Sequence, residues 1–169
     1  AEKYLRPRAE IIAACNTFFE RELAGAPFVA AHLRGTDKFR EDDSLKDTNA
    51  QILNVLEQAP SGQRILLLTD DERCLTMARE RFGSRIAATD CRRGNGEAGI
   101  HLAKSDPVQT GREAMVDAYL ALRAGRFIGN GLSNVSAMIA VLKDWPAGAC
   151  TLIGNSILED RSFMLYQKK

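Results

Sequence analysis

The segment Arg64-Ile-Leu-Leu-Leu-Thr69 holds four apolar residues in an unbroken row. A strand with one face in water alternates apolar and polar residues, so an unbroken row of this length suits a strand buried on both faces. Such a strand needs helices above and below it, and hence a mostly parallel sheet joined by crossovers.

The flanking sequence supplies those elements. Ile11, Ile12, Cys15, Phe18 and Phe19 fall at helical spacing, which predicts a helix over 10–23. Pro27 ends that pattern, and 28–33 reads as a strand. A polar stretch over 34–46 leads to a helix at 47–59, with Ile52, Leu53 and Leu56 on one face and Pro60-Ser-Gly62 as its stop. After the 64–69 strand come a helix at 71–82, a short strand at 85–89 and a long polar loop over 90–109. A helix at 111–124, a strand at 126–129, a helix at 133–142 and a strand at 150–153 follow, with a tail helix or strap over 154–169. The expected fold is a doubly wound, mostly parallel, five-stranded Rossmann-like α/β sheet. Residues 1–26 read as an N-terminal linking helix and 27–169 as one domain.

At 169 residues, 45% hydrophobic and 27% charged, the chain can bury a sizeable core without disulfides or metals. The net charge of +1 gives no global reason to expect a nucleic-acid or membrane partner, so any anion site must be local. No apolar run reaches the ~20 residues needed to span a bilayer. Cys15, Cys74, Cys91 and Cys150 form no CxxC motif, and fit free thiols in a cytoplasmic protein. A start at Ala1 rather than Met fits a chain taken from something longer.

In doubly wound sheets ligands bind beyond the carboxyl ends of the strands, so the residues there are the candidates. They are His32-Leu-Arg34-Gly-Thr36-Asp37-Lys38, Thr69-Asp70-Asp71, Thr89-Asp90 and Gly129-Asn-Gly131-Leu-Ser133-Asn134-Val135. Arg34 offers a planar fork of donors to a phosphate, and Lys38 a second cation. Ser133 precedes a helix whose free N–H groups suit a phosphate, besides being a natural N-cap. His32, inside a strand, is equally a core histidine. GxGxxG and the P-loop are absent, and Gly131-Leu-Ser133-Asn-Val135 lacks the second glycine of a nucleophile elbow.

The ordered set His32-x-Arg34-x-Thr36-Asp37-Lys38, Thr69-Asp70-Asp71 and the 111–141 block resembles the C-terminal domain of α1,6-fucosyltransferases, including the rhizobial nodulation enzymes. The resemblance covers about 28–141. It implies one half of a GT-B fold that binds GDP-fucose, with a glycan acceptor and an N-terminal acceptor domain that this chain lacks. His32 and Asp117 would bind guanine. Arg34 would hold the β-phosphate, with Ser133, Asn134 and Val135 around the phosphate site. Asp70 or Asp71 would orient Arg34 or line the cleft, and Lys38 would lie near the sugar. Gly35 replaces a second arginine common in the family, and Asp42 stands where a glutamate is found, as the candidate base. With Arg34, Lys38 and a helix end to stabilise the departing diphosphate, the chemistry would need no metal or other cofactor. Two other readings share the strand pattern: a nucleotide-binding α/β domain of unrelated chemistry, and a non-catalytic receiver-like signalling module with an acidic pair at a strand end.

Overall fold

The computed structural model describes residues 6–35, 44–95 and 106–158. In chain order the elements are α1 (Ala9–Leu23), β1 (Phe28–Leu33), α2 (Ser44–Glu57), β2 (Arg64–Thr69), α3 (Glu72–Phe82), a 3-10 turn (Gly83–Arg85), β3 (Ile86–Ala87), α4 (Pro107–Ala121), β4 (Arg126–Asn130), α5 (Asn134–Leu142) and β5 (Cys150–Ile153). The strands pair in parallel throughout, in the order β3-β2-β1-β4-β5. This is the expected doubly wound Rossmann-like sheet. The order also removes the receiver-like reading, because receiver domains use the order 2-1-3-4-5.

Side chains along each central strand alternate between two cores. Phe28 and Ala30 of β1, with Leu66 and Leu68 of β2, face α1, α4 and α5. Val29, Ala31 and Leu33, with Ile65 and Leu67, face α2 and α3. The unbroken apolar row is thus two interleaved faces, each leucine contributing roughly 1.5–3 kcal/mol by its burial. Helix α1 sends Ile11, Cys15, Phe18 and Leu23 into the first core, so it packs as part of that layer.

Several boundaries differ from the sequence pattern. Helix α4 begins at Pro107, not at 111: the Asp106 carboxylate accepts from the Val108 N–H at 2.9 Å, and Pro107 occupies a first-turn site where its missing N–H costs nothing. It ends at Ala121, not at 124. Strand β3 has two residues instead of five. Arg85 is drawn out of it into the 3-10 turn and donates to the Gln63 and Pro60 carbonyls, both at 3.0 Å. The final strand leads into a strap: the Gly131 N–H donates to the Ile153 carbonyl and the Ile157 N–H donates to the Gly131 carbonyl.

All four cysteines are free, Cys15 and Cys74 buried and Cys91 and Cys150 half-buried. Among the described residues, no helix is long and apolar enough to cross a membrane.

Candidate functional site

The chain runs from β1 outward in one direction to β2 and β3, and in the other to β4 and β5, which opens a crevice at the carboxyl ends of β1 and β4. A cleft of about 210 Å³ lies there, lined among others by His32, Arg34, Asp70, Cys91, Asp117 and Val135. A neighbouring hollow of about 320 Å³, between α1 and α4, shares Cys91 and Glu113 with it.

Arg34 stands just beyond β1 and Asp70 just beyond β2. The Arg34 guanidinium donates to one oxygen of the Asp70 carboxylate, and the Gly35 N–H donates to the other at 3.1 Å. Asp70 therefore fixes both the side chain and the backbone at this point. Behind them, Asn49 of α2 donates from Nδ2 to the Arg34 carbonyl at 2.7 Å.

Asp71, one residue on, turns the other way. It is fully buried, accepts from the Arg73 N–H at 2.9 Å as the N-cap of α3, and pairs with the Arg73 guanidinium at 2.6 Å. It also explains Gly35: a Cβ there would lie 2.3 Å from the Asp71 Cβ, so the second arginine common in α1,6-fucosyltransferases has no room in this chain.

The far wall comes from α4. Asp117 is buried, and its Oδ1 accepts from the Thr89 hydroxyl at 2.5 Å. Burial raises its pKa to about 6, against the opposing pull of the Thr89 hydrogen bond and the Arg93 charge. His32 is buried too. Burial lowers its pKa to about 4, so near neutral pH the ring is uncharged. Its Nδ1 lies 2.8 Å from the Ser136 hydroxyl.

Ser133 occupies the N-cap position of α5 without a side-chain capping bond. Its N–H donates to the Asn130 carbonyl at 3.2 Å and its carbonyl accepts from Ala137. Asn134 is exposed and Val135 lines the cleft. Neither nearby glycine is there to leave phosphate room. A Cβ at Gly131 would meet the Asn155 carbonyl of the strap at 2.4 Å, and one at Gly129 the Ser136 hydroxyl at 2.6 Å.

The structure thus brings together His32, Arg34, Asp70, Asp117 and Val135 around the cleft, with Asp71 buried beside Gly35. Lys38 and Asp42 lie outside the described residues, as do Thr36 and Asp37. The sequence pattern missed Ser136, Cys91 and Arg92. The latter two reach the cleft because Gly94 bonds back to the β2 end: its N–H donates to Asp70 at 2.9 Å, and its carbonyl accepts from Glu72 at 3.0 Å. Burial raises the Cys91 thiol to about 11, so it is a neutral wall of the site. Among the described residues, no group of three or more His, Cys, Asp or Glu is placed to hold a metal ion.

A parallel sheet of this order is a Rossmann-like α/β fold, and its likeness to solved fucosyltransferases is one of fold. No family model matches the sequence, and no curated protein matches it. Solved structures do. The chain resembles the fucosyltransferase NodZ from Bradyrhizobium with a TM-score of 0.57 at 18% identity, over 83% of this chain and 44% of that one. It resembles the NodZ α-1,6-fucosyltransferase soaked with GDP-fucose with a TM-score of 0.55 at 20% identity, over 81% and 43%. It resembles POFUT1 in complex with GDP with a TM-score of 0.58 at 19% identity, over 90% and 48%. The chain therefore spans less than half the length of each of these structures.

Proposed function

We infer that this chain is the nucleotide-sugar-binding half of a fucosyltransferase-like glycosyltransferase whose donor is GDP-fucose. The observation behind this reading is the switch-point cleft, with Arg34 anchored by Asp70 on one wall and the buried Asp117 carboxylate on the other. The fold likeness to a structure in complex with GDP and to one soaked with GDP-fucose supports it.

In this reading the Arg34 guanidinium holds the β-phosphate, and the amide end of α5, around Ser133, Asn134 and Val135, completes the phosphate site. Asp117 accepts from the guanine ring N–H and exocyclic amine, with His32 beside it. Ionised Asp117 is costly inside the protein, and two guanine donors offset that cost on binding. Departure of GDP leaves charge on its diphosphate, and a cation already fixed in place stabilises that charge without reorganising. Lys38 would add to it near the sugar, and Asp42 would take the acceptor proton. The reaction would proceed without a metal. The glycan acceptor would bind against a second, acceptor-binding domain, the two making a GT-B enzyme in the cytoplasm.

Calorimetry with GDP tests this. The wild type should bind GDP in the presence of EDTA, and bind ADP more weakly. Arg34→Ala removes a charge-assisted contact of about 1.5–3 kcal/mol, so it should lose at least tenfold in GDP affinity while keeping its fold. Unchanged affinity in Arg34→Ala would refute the phosphate role, and equal affinity for ADP and GDP the guanine assignment.

A further inference from the structure

His32 sits opposite Gly129 across the β1–β4 pairing, on the strand face turned toward α5. Its Nδ1 and the Ser136 hydroxyl oxygen are 2.8 Å apart. Ser136 has no exposed surface, and Nδ1 is its one hydrogen-bond partner among the described residues. A buried hydroxyl proton without an acceptor is costly, so the Ser136 O–H donates and Nδ1 accepts. A neutral imidazole with a bare Nδ1 carries its proton on Nε2. Burial keeps the ring neutral well below physiological pH.

The contact has little room to shift. A Cβ on Gly129 would lie 2.6 Å from the Ser136 hydroxyl and 2.8 Å from the Phe127 ring, so residue 129, the ring and the hydroxyl are already in close contact. His32 and Asp117 line the same cleft. An N–H donor beside a carboxylate acceptor matches a purine edge carrying a carbonyl oxygen next to N–H groups, which is the edge of guanine. Adenine presents an amino donor where the His32 donor would need an acceptor.

We propose that Ser136 is a positioning residue: it holds His32 with its proton on Nε2, and through that ring makes the cleft discriminate guanine from adenine. The discrimination rests on the nucleotide-binding reading given above; the proton placement does not.

Two measurements test it. Long-range ¹H–¹⁵N spectra of histidine-labelled protein, with the His32 signals assigned by their loss in His32→Gln, should show the Nε2–H form in the wild type and loss of that single form in Ser136→Ala. Calorimetry should show Ser136→Ala, folded by circular dichroism, losing roughly tenfold in GDP affinity, the size of one neutral hydrogen bond, with ADP affinity unchanged. A wild-type ring protonated on Nδ1 overturns the proposal, as does a spectrum unchanged by Ser136→Ala. Equal losses for GDP and ADP reduce Ser136 to a packing role. A wild type that holds the Nε2–H form yet binds GDP and ADP alike sinks the guanine reading and the discrimination with it.

Discussion

Helices α2 and α3 cover their face of the sheet with Ile52, Leu53, Leu56, Leu75 and Phe82, and among the described residues none of their side chains lines the cleft. Across the sheet, α4 and α5 bury Ala118, Ala121 and Ala137 beside Asp117 and Ser136, and Asp117 and Val135 reach the cleft. One layer fills its space with large aliphatic groups and lends only backbone support to the site, through Asn49 and the Asp71 cap. The other buries Leu120 and Ile139 as well, and among its apolar groups it places a carboxylate whose charge is expensive there. The difference teaches that both faces of the sheet carry stability while the cleft draws its helix side chains from one, so a substitution in the α2–α3 layer should affect stability without affecting binding.

The largest expected effect is on stability. Leu56→Ala, at a fully buried site in the aliphatic layer, should cost about 2–5 kcal/mol in denaturant unfolding and leave the GDP affinity of the folded protein unchanged. An affinity that fell with it would break the separation.

Asp117→Asn should act in the opposite sense. It should lower GDP affinity by about 1.5–3 kcal/mol, because a charged acceptor is lost. Unfolding should show it more stable than wild type at pH 8, by roughly 1–2 kcal/mol. The sign follows from the raised pKa: the folded state prefers protonated Asp117, so this group's contribution to stability is lost as pH climbs from its ordinary value of 3.8 through about 6. GDP binding runs the other way and should weaken as pH falls through about 6, since only the carboxylate accepts both guanine donors. A variant less stable than wild type at pH 8 would mean that the charge is already fully compensated.

Asp71→Ala should cost about 0.5–2 kcal/mol of stability through loss of the α3 cap, with GDP affinity unchanged, whereas Asp70→Ala should weaken GDP binding. If both altered affinity alike, the contrast between the neighbouring carboxylates would fall. The smallest effect belongs to the surface pair of Arg81 and Glu57, which links α2 and α3 at 2.7 Å: Arg81→Ala should cost at most about 1 kcal/mol, less in high salt, by the same unfolding measurement.

What the sequence made legible was local. β1, β2 and β5 occupy the spans their apolar runs define, because a run bounded by Pro, Gly or charge needs no partner to be recognised. β3 was overestimated because a strand's length also depends on its neighbour, and only Ile65 and Leu66 pair with it. Asp70 and Asp71 could not be told apart in sequence. One points to Arg34 and the other into the α3 cap, a choice made by the turn at the strand end. Ser136 was invisible for a different reason: its contact with His32 spans 104 residues of chain and exists only because β1 and β4 lie side by side.

The double grip of Asp70 on Arg34 and Gly35 has a kinetic consequence. An arginine choosing its rotamer only on binding would give up as much as ~1.5–2 kcal/mol of side-chain freedom at that moment. Here that freedom is surrendered when the chain folds, so an incoming anion meets a donor fork already aimed. The same carboxylate cancels much of the guanidinium's field at a distance, and a chain of net charge +1 supplies little to replace it. Arg34 itself should therefore contribute little to steering a diphosphate in, and more to retaining it once there.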